Sequence, residues 1–503
     1  MQSNRSDRPY GTAAIITVGY GNKHLPFFYT CIWLDQFPLK KLGIICFIFK
    51  LSMVLDPFDY IATGFFLLAV FHTLISPVLF RKGEALIDYA WQTSGGKMTR
   101  SHWLYFFGVL VRYLGEVEII FGLWLLPLLI VSLWRFGWDA TLEKLKLKTE
   151  YTEALFVAVL MTISSAQPIL YISQRLIGCF ARITKDSVTS WWFLILTLGP
   201  IFGSFITEAS AITISALLLA EKLFCLNPKQ SLAYATIGLL FFNISIGGTL
   251  TNYAAPPVVL VSQKWQWDSF YMLIHFGFVF ACGIVLANLL YYFVFQEEFK
   301  RLEKERLSLL AETGPAESLR EKIPIWIVIG NIGFLVSTVI IKDYFLLLFG
   351  ILVFFLSFVD ATKPYQGEIP LQKAFLVGFF LASLEVFGNL QSWWINRLLS
   401  HLSFLPLYVV SVMLSSFNDN ALISYLATLI VPELDEMKKR AIIGGALSGG
   451  GLTIIANAPN LVGWSLLRKF FPDGIASTKL FIMALVPTIL VAILFMFKEW
   501  IFK

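Results

Sequence analysis

The sequence predicts an all-α integral membrane protein made of two inverted repeats, each with about five transmembrane helices plus a re-entrant hairpin and a broken helix. Three observations lead to this fold class. The composition is too apolar for a soluble protein, apolar runs of membrane-crossing length recur along the chain, and a pattern of residues in the first half returns in the second.

The composition indicates a membrane protein. Of the 503 residues, 57% are hydrophobic and 14% are charged, whereas soluble domains are about 25% charged. The mean hydropathy is +0.72, and the net charge of +6 suits a protein with basic cytoplasmic loops. Basic stretches are short and interleaved with acids, so no nucleic-acid partner is expected. The five cysteines and five histidines show no metal-binding spacing, and no cofactor is expected.

The chain divides into four parts. Residues 1–55 are an N-terminal segment of uncertain structure, 56–296 form the first transmembrane repeat and 323–503 form the second. Between the repeats lies a charged linker at 297–322, which contains six Lys or Arg and seven Glu residues. A block with this charge is expected in water as a solvated helix and turn.

Eight apolar runs are long enough to cross about 30 Å of hydrocarbon as helices. The predicted spans are 57–79, 103–134, 152–173, 267–295, 324–341, 343–359, 374–392 and 478–499.

Each half also contains two interrupted apolar stretches. Trp191–Leu223 and Leu405–Val431 are broken by polar residues around Glu208 and Asp419, and each predicts a re-entrant hairpin. Leu232–Val261 and Ile442–Leu467 are interrupted by Gly and Pro, and each predicts a broken helix, because glycine lets the chain turn and proline removes a backbone donor. The expected total is ten crossings and two hairpins. The residues predicted to break the helices are Gly247, Gly248, Pro256, Pro257, Gly449, Gly450, Gly451 and Pro459.

Internal similarity is the strongest evidence for a duplicated architecture. The segment Gly247–Pro257, GGTLTNYAAPP, aligns without gaps with Gly449–Pro459, GGGLTIIANAP, and two Gly, a Leu, a Thr, an Ala and the final Pro coincide. Upstream of each segment a buried acid lies in a polar break, Glu208 in the first half and Asp419 in the second. An odd number of crossings per half inverts the second repeat relative to the first. Inverted repeats with paired broken helices are typical of secondary transporters.

These motifs resemble those of the ion transporter superfamily, and most closely a bacterial family of sodium/proton antiporters, over roughly residues 55–500. The resemblance implies two hairpin tips that meet two broken helices at the ion sites, commonly in a homodimer. It also implies a multi-pass location in the bacterial inner (cytoplasmic) membrane. The residues that it assigns to ion binding are Asp419, Asn418, Asn420, Thr453 and Asn457 in the second half and Glu208, Thr207, Ser210, Thr251 and Asn252 in the first.

The carboxylates at the hairpin tips favour cation exchange. An ionised carboxylate in the membrane costs a few kcal/mol or more, so it is seldom present without a task. Such a group can hold a proton or a hard cation, and competition between the two at one carboxylate is a complete exchange mechanism. Asp419 is the better candidate for sodium, because amide and hydroxyl oxygen atoms surround it in the sequence. Glu385 and Glu116, at membrane depth, are candidates for a proton path.

Two other functions compete with sodium/proton exchange. A sodium-coupled symporter of a small anion or carboxylate has the same architecture, but the symporters of the superfamily typically carry neutral Ser-Asn-Thr tips. A membrane-embedded enzyme is disfavoured, because the sequence contains no GxSxG, zinc or Walker A motif. The expected partners are therefore sodium ions, protons, the lipid bilayer and a second copy of the chain.

Overall fold

The fold is built from helices joined by short turns. The computed structural model describes residues 56–93, 103–147, 151–313, 322–391, 393–394, 402–429, 434–472 and 474–501, and all regular secondary structure in these ranges is helical. The N-terminal segment 1–55 and residues 314–321 of the charged linker lie outside the described residues.

The first half contains twelve α-helices within the described ranges. They are α1 (Pro57–Thr93), α2 (Trp103–Leu114), α3 (Val117–Phe136), α4 (Trp138–Lys144), α5 (Thr152–Ser164), α6 (Gln167–Ile183), α7 (Val188–Ile206), α8 (Glu208–Lys222), α9 (Gln230–Gly247), α10 (Pro256–Trp265), α11 (Ser269–Met272) and α12 (Phe278–Thr313). The last of these continues past the predicted membrane boundary into the linker, with a kink at Phe295.

The second half contains nine more α-helices within the described ranges. They are α13 (Ile325–Ile340), α14 (Phe345–Ala361), α15 (Lys363–Gln366), α16 (Leu371–Asn389), α17 (Phe404–Phe417), α18 (Asn420–Thr428), α19 (Glu436–Gly449), α20 (Ala458–Leu467) and α21 (Ser477–Ile501).

The described residues contain eight helices that are long and apolar enough to cross a membrane, or nine if the bent pair α5 and α6 forms one span. Shorter apolar helices include α2, α13, α14 and α17. The chain is therefore a multi-pass membrane protein, and its described residues are all-α. The inversion of one repeat against the other, the ten crossings and the re-entrance of the hairpins stay predictions.

Two predicted spans are not continuous helices. The span predicted at 103–134 is interrupted at Gly115 and Glu116, where the chain crosses α1 so closely that a Cβ atom on Gly115 would lie 2.3 Å from the backbone nitrogen of Phe80. The span predicted at 152–173 ends at Ser164, and α6 leaves at 65° to α5. The cause is Pro168, whose ring would collide with the carbonyl of Ser164 in a continuous helix.

The predicted interruptions at Glu208 and Asp419 are present, but the two halves build them differently. The helices α7 and α8 meet at Thr207 and run back along each other, with Gly199 against Ser215 and Gly203 against Ala211. The helix α17 instead lies along α19, where Cβ atoms on Gly445 and Gly449 would come within 2.4 and 2.5 Å of backbone oxygens of α17. Small residues allow this close approach between helices in a membrane.

The two broken helices have matching geometry. Each interruption is eight residues long, Gly248 to Ala255 between α9 and α10 and Gly450 to Asn457 between α19 and α20. Helix α8 packs against α20, and α18 packs against α10, so the helix that follows each polar break contacts the broken helix of the other half. Both interruptions therefore lie where the two halves meet.

Close contact between the second interruption and helix α9 predicts a stability effect. A Cβ atom on Gly451 would lie 2.2 Å from the Cα atom of Phe242, and backbone atoms cannot move away cheaply. We expect Gly451→Ala to destabilise the fold by about 1–3 kcal/mol, as overpacking does in other cores. The control is Gly333→Ala in α13, where nothing lies within 4 Å of the new atom. Thermal unfolding of the two variants in detergent compares them, and equal melting temperatures would contradict the prediction.

Candidate functional site

A cavity of about 470 Å³ lies between the two halves and is lined by the predicted hairpin tips. Its walls come from α1, α2, α3, α5, α6, α8, α10, α16, α18, α20 and the interruptions. The charged side chains that line it are Glu84, Arg112, Glu116, Glu118, Glu208, Glu368, Lys373 and Asp419. Glu368 and Lys373 are exposed at its mouth, whereas Glu208 is 1% and Asp419 4% exposed at its inner end.

Asp419 lies where two helices begin. Its Oδ1 accepts a hydrogen bond from the backbone N–H of Ala421 at 2.8 Å, and its Oδ2 accepts one from the N–H of Ala458 at 3.2 Å. These donors belong to the first turns of α18 and α20, whose partial positive charges stabilise a nearby anion. The chain thus holds the Asp419 carboxylate in a fixed orientation beside the cavity.

Glu208 is the first residue of α8 and faces the same cavity. Its Oε2 accepts a hydrogen bond from Nδ2 of Asn457 at 2.7 Å, whereas its Oε1 is buried and has no hydrogen-bond partner among the described residues. A Cβ atom on Gly248 would lie 3.0 Å from Oε1, which explains a glycine at this position. A buried, unpartnered carboxylate oxygen is costly unless a proton or cation binds to it.

Asn420 supplies a second unpartnered oxygen. Its backbone N–H donates to the carbonyl of Ala456 at 3.0 Å, and its Nδ2 lies 3.4 Å from Oγ of Ser245. Its Oδ1 is buried without a hydrogen-bond partner in the described part of the chain, and Asn420 lines the cavity. An amide oxygen in this position is available to a hard cation.

The first hairpin tip is held by hydroxyl groups. Oγ of Ser164 lies 3.2 Å from Oγ1 of Thr207 and 3.0 Å from Oγ of Ser210. Thr207 adopts φ 76° and ψ 150°, a backbone conformation that residues other than glycine seldom adopt. Ser164 is the last residue of α5, so the end of this helix, which the sequence did not predict, lies beside the tip that holds Glu208.

Four predicted ligands lie outside the cavity lining and bind other groups. Asn418 accepts from Thr73 at 3.1 Å, Thr453 donates to the carbonyl of Ser416 at 2.7 Å, and Thr251 donates to the carbonyl of Ser204 at 2.6 Å. Asn252 donates to the carbonyl of Trp267 at 3.1 Å. These four side chains support the backbone of the tips and interruptions.

The glycines and prolines divide between the cavity and the contacts behind it. Pro256 and Pro459 line the cavity at the start of α10 and α20, and Pro257 is buried in α10. A Cβ atom on Gly247 would lie 2.6 Å from Pro200, and one on Gly450 would lie 2.3 Å from Oγ of Ser245. The absence of a side chain at Gly247 and Gly450 allows the chain to pack closely against Pro200 and Ser245.

The two candidates for a proton path have different surroundings. Glu116 lines the cavity and pairs with Arg112 at 3.7 Å. Glu385 lies outside the cavity lining and pairs with Lys264 at 3.8 Å. Sequence reasoning missed Glu118, which lines the cavity because α3 begins only at Val117.

The described ranges contain no group of three or more His, Cys, Asp or Glu side chains arranged to hold a metal ion. A cation bound by this cavity would therefore combine one or two carboxylates with amide, hydroxyl or backbone oxygens. Hard monovalent cations prefer such oxygen ligands.

Comparison with known families agrees with the geometry of the cavity. The family described as "Putative Na+/H+ antiporter" matches residues 57–498. The chain belongs to this Na+/H+ antiporter family. The predicted resemblance is confirmed, and membership together with the membrane helices supports a transporter of the cation/proton antiporter type rather than an enzyme. A search of curated proteins finds no match to the chain.

Proposed function

We propose that the protein is a secondary active transporter that exchanges sodium ions for protons, with Asp419 and Glu208 as the exchanging groups. The observation that carries the proposal is the convergence of both hairpin tips on one cavity, with the Oε1 of Glu208 and the Oδ1 of Asn420 unpartnered there. Sodium and a proton compete for this site, and alternating access to it couples their gradients.

The charge of the cavity favours a cation. Six carboxyl groups and two basic side chains line it, so the balance with all groups ionised is 2 − 6 = −4. A cleft of one sign attracts ions of the opposite sign and raises their local concentration. Lys373 is exposed and the Arg112 side chain is 40% exposed, whereas Glu208 and Asp419 are buried.

The packing between the halves suits alternating access. Because α8 contacts α20 and α18 contacts α10, motion of either hairpin changes contacts with the opposite broken helix. If the repeats are inverted, these two contacts face opposite sides of the membrane and can open in turn. The proposal places the transporter in the bacterial inner membrane, commonly as a homodimer.

One observation favours the sodium-coupled symporter as a second candidate. Arg112 and Lys373 line the cavity, and cations of this kind can bind a carboxylate or another small anion. Arg112 already pairs with Glu116, which leaves Lys373 as the main candidate for anion recognition.

Everted membrane vesicles that contain the protein and a pH-sensitive dye test the proposal. After respiration acidifies the lumen, we expect a pulse of sodium to dequench the dye as protons leave in exchange. Lithium and potassium pulses define the cation preference, and vesicles without the protein are the control. Absence of any cation response together with sodium-dependent uptake of succinate or citrate would reject exchange and favour the symporter.

A further inference from the structure

Glu118 lies at the point where a predicted continuous span is interrupted. In an unbroken helix, residues 116 and 118 would point in directions about 160° apart. Here Glu116 has extended backbone angles, φ −84° and ψ 119°, and α3 begins after it. Both Glu116 and Glu118 consequently line the same cavity. The close crossing at Gly115 keeps this interruption in place.

Glu118 differs from the other partly buried acids of the cavity in having no cationic partner in contact. Glu84 pairs with Arg468, and Glu116 pairs with Arg112. Within the described part of the chain, the Glu118 carboxylate makes no ion pair and no side-chain hydrogen bond to another residue. The Glu118 carboxylate is therefore available to bind an ion.

The position of Glu118 is intermediate along the cavity. It is partly buried, whereas Glu368 and Lys373 are exposed at the mouth and Asp419 is 4% exposed at the inner end. Its charge interacts with those of Glu116, Lys373 and Asp419, which line the same cavity. The charged groups that share its cavity are Glu84, Arg112, Glu116, Glu208, Glu368, Lys373 and Asp419.

Two carboxylates that interact across a cavity do not ionise independently. Each negative charge disfavours the other, and a proton or a cation that binds to one relieves the repulsion. A cation that enters from the mouth therefore binds more strongly when both Glu118 and Asp419 are carboxylates than when only one of them is. The unpartnered Oε1 of Glu208, which is 1% exposed, shows that the inner end of the same cavity has an unused site for such an ion.

We propose that Glu118 is a third ion-binding carboxylate, which binds the entering sodium ion or proton before it reaches Asp419. This inference rests on the proposed exchange function and adds a residue that the hairpin tips and broken helices do not contain. It assigns the interruption between α2 and α3 a role in ion entry. Asp419 remains the inner site.

The test compares Glu118→Gln with Glu143→Gln, an identical change at an exposed position in α4 outside the cavity lining. In the vesicle assay we expect Glu118→Gln to raise the sodium concentration for half-maximal response about tenfold, in the range of coupling between interacting sites. The maximal response should fall less, because Asp419 still binds sodium. The pH profile of exchange should also shift, which a purely structural role would not cause.

Glu118→Asp keeps the charge and serves as a second variant if the Gln variant folds poorly. We expect it to restore the wild-type pH profile. Sodium-induced thermal stabilisation of the purified protein gives a readout that does not require transport, and Glu118→Gln should weaken it. If the wild type responds to sodium and Glu118→Gln behaves like Glu143→Gln, Glu118 is not an ion-binding residue. If the wild type itself shows neither exchange nor stabilisation by sodium, the exchange function fails and the role of Glu118 falls with it.

Discussion

Replacement of Asp419 by Asn is expected to abolish sodium-dependent proton exchange. The change removes the charge that two helix N-termini hold at the inner end of the cavity. Charge-assisted contacts are worth about 1.5–3 kcal/mol, so the loss corresponds to roughly 10- to 100-fold in sodium affinity. Without an anion that binds sodium at this site, nothing drives release of the proton from Glu208, so no exchange should remain at any pH. Dye dequenching in everted vesicles after a sodium pulse measures this directly.

A stability control accompanies this variant. In Asp419→Asn the new amide hydrogens can face the N–H of Ala421 or Ala458, and an unmet backbone donor costs about 1–3 kcal/mol. The melting temperature and the yield of folded protein are therefore measured beside exchange. Asp343→Asn makes the same change at an exposed position between α13 and α14 and should leave exchange unaltered. Full sodium-dependent dequenching by folded Asp419→Asn would remove Asp419 from the mechanism.

Local sequence patterns predicted the main interruptions of the fold. Gly, Pro and polar residues are easy to recognise within an apolar run. The interruptions at Thr207 and Asp419 and after Gly247 and Gly449 lie where such residues occur. The similarity between Gly247–Pro257 and Gly449–Pro459 corresponds to two interruptions of equal length. These features depend on backbone preferences that act over a few residues.

Contacts between distant segments could not be predicted in the same way. The sequence associated Asn457 with Asp419, but Asn457 donates its side-chain hydrogen bond to Glu208, a residue of the other half. That contact depends on α8 packing against α20, which no local pattern encodes. Similarly, Thr453 and Asn252 have the right chemistry for ligands, but packing directs them to backbone carbonyls.

The two missed interruptions left weaker signals. A membrane span is recognised from the mean hydropathy of about twenty residues. Over that length a short break is averaged out, so α2 and α3 are predicted as one span, and so are α5 and α6. Pro168 is a residue type that favours the first turn of a new helix. Gly115 next to the charged Glu116 is typical of a break in an apolar helix. If 103–134 were one continuous helix, Glu116 and Glu118 would lie on different faces, and the sequence pattern therefore indicated Glu116 but not Glu118.

Replacement of Glu208 by Gln is expected to lower exchange at least about tenfold, which corresponds to about 1.4 kcal/mol, while sodium binding remains measurable. The two acids have different surroundings. Backbone N–H groups contact both oxygens of Asp419, whereas Glu208 receives one hydrogen bond from Asn457 and leaves Oε1 unpartnered. We therefore assign the proton to Glu208 and the sodium ion to Asp419.

Gln fits the Glu208 site with little disturbance, because its carbonyl oxygen can still accept the hydrogen bond from Asn457. It cannot release a proton, so Glu208→Gln should retain sodium-induced thermal stabilisation but lose most proton movement and its dependence on pH. Glu221→Gln is the matched control, since it makes the same change near the end of α8, where the side chain is 50% exposed. Equal exchange by both variants would exclude Glu208 as the proton carrier. Loss of sodium-induced stabilisation in Glu208→Gln would instead show that both carboxylates hold the same cation.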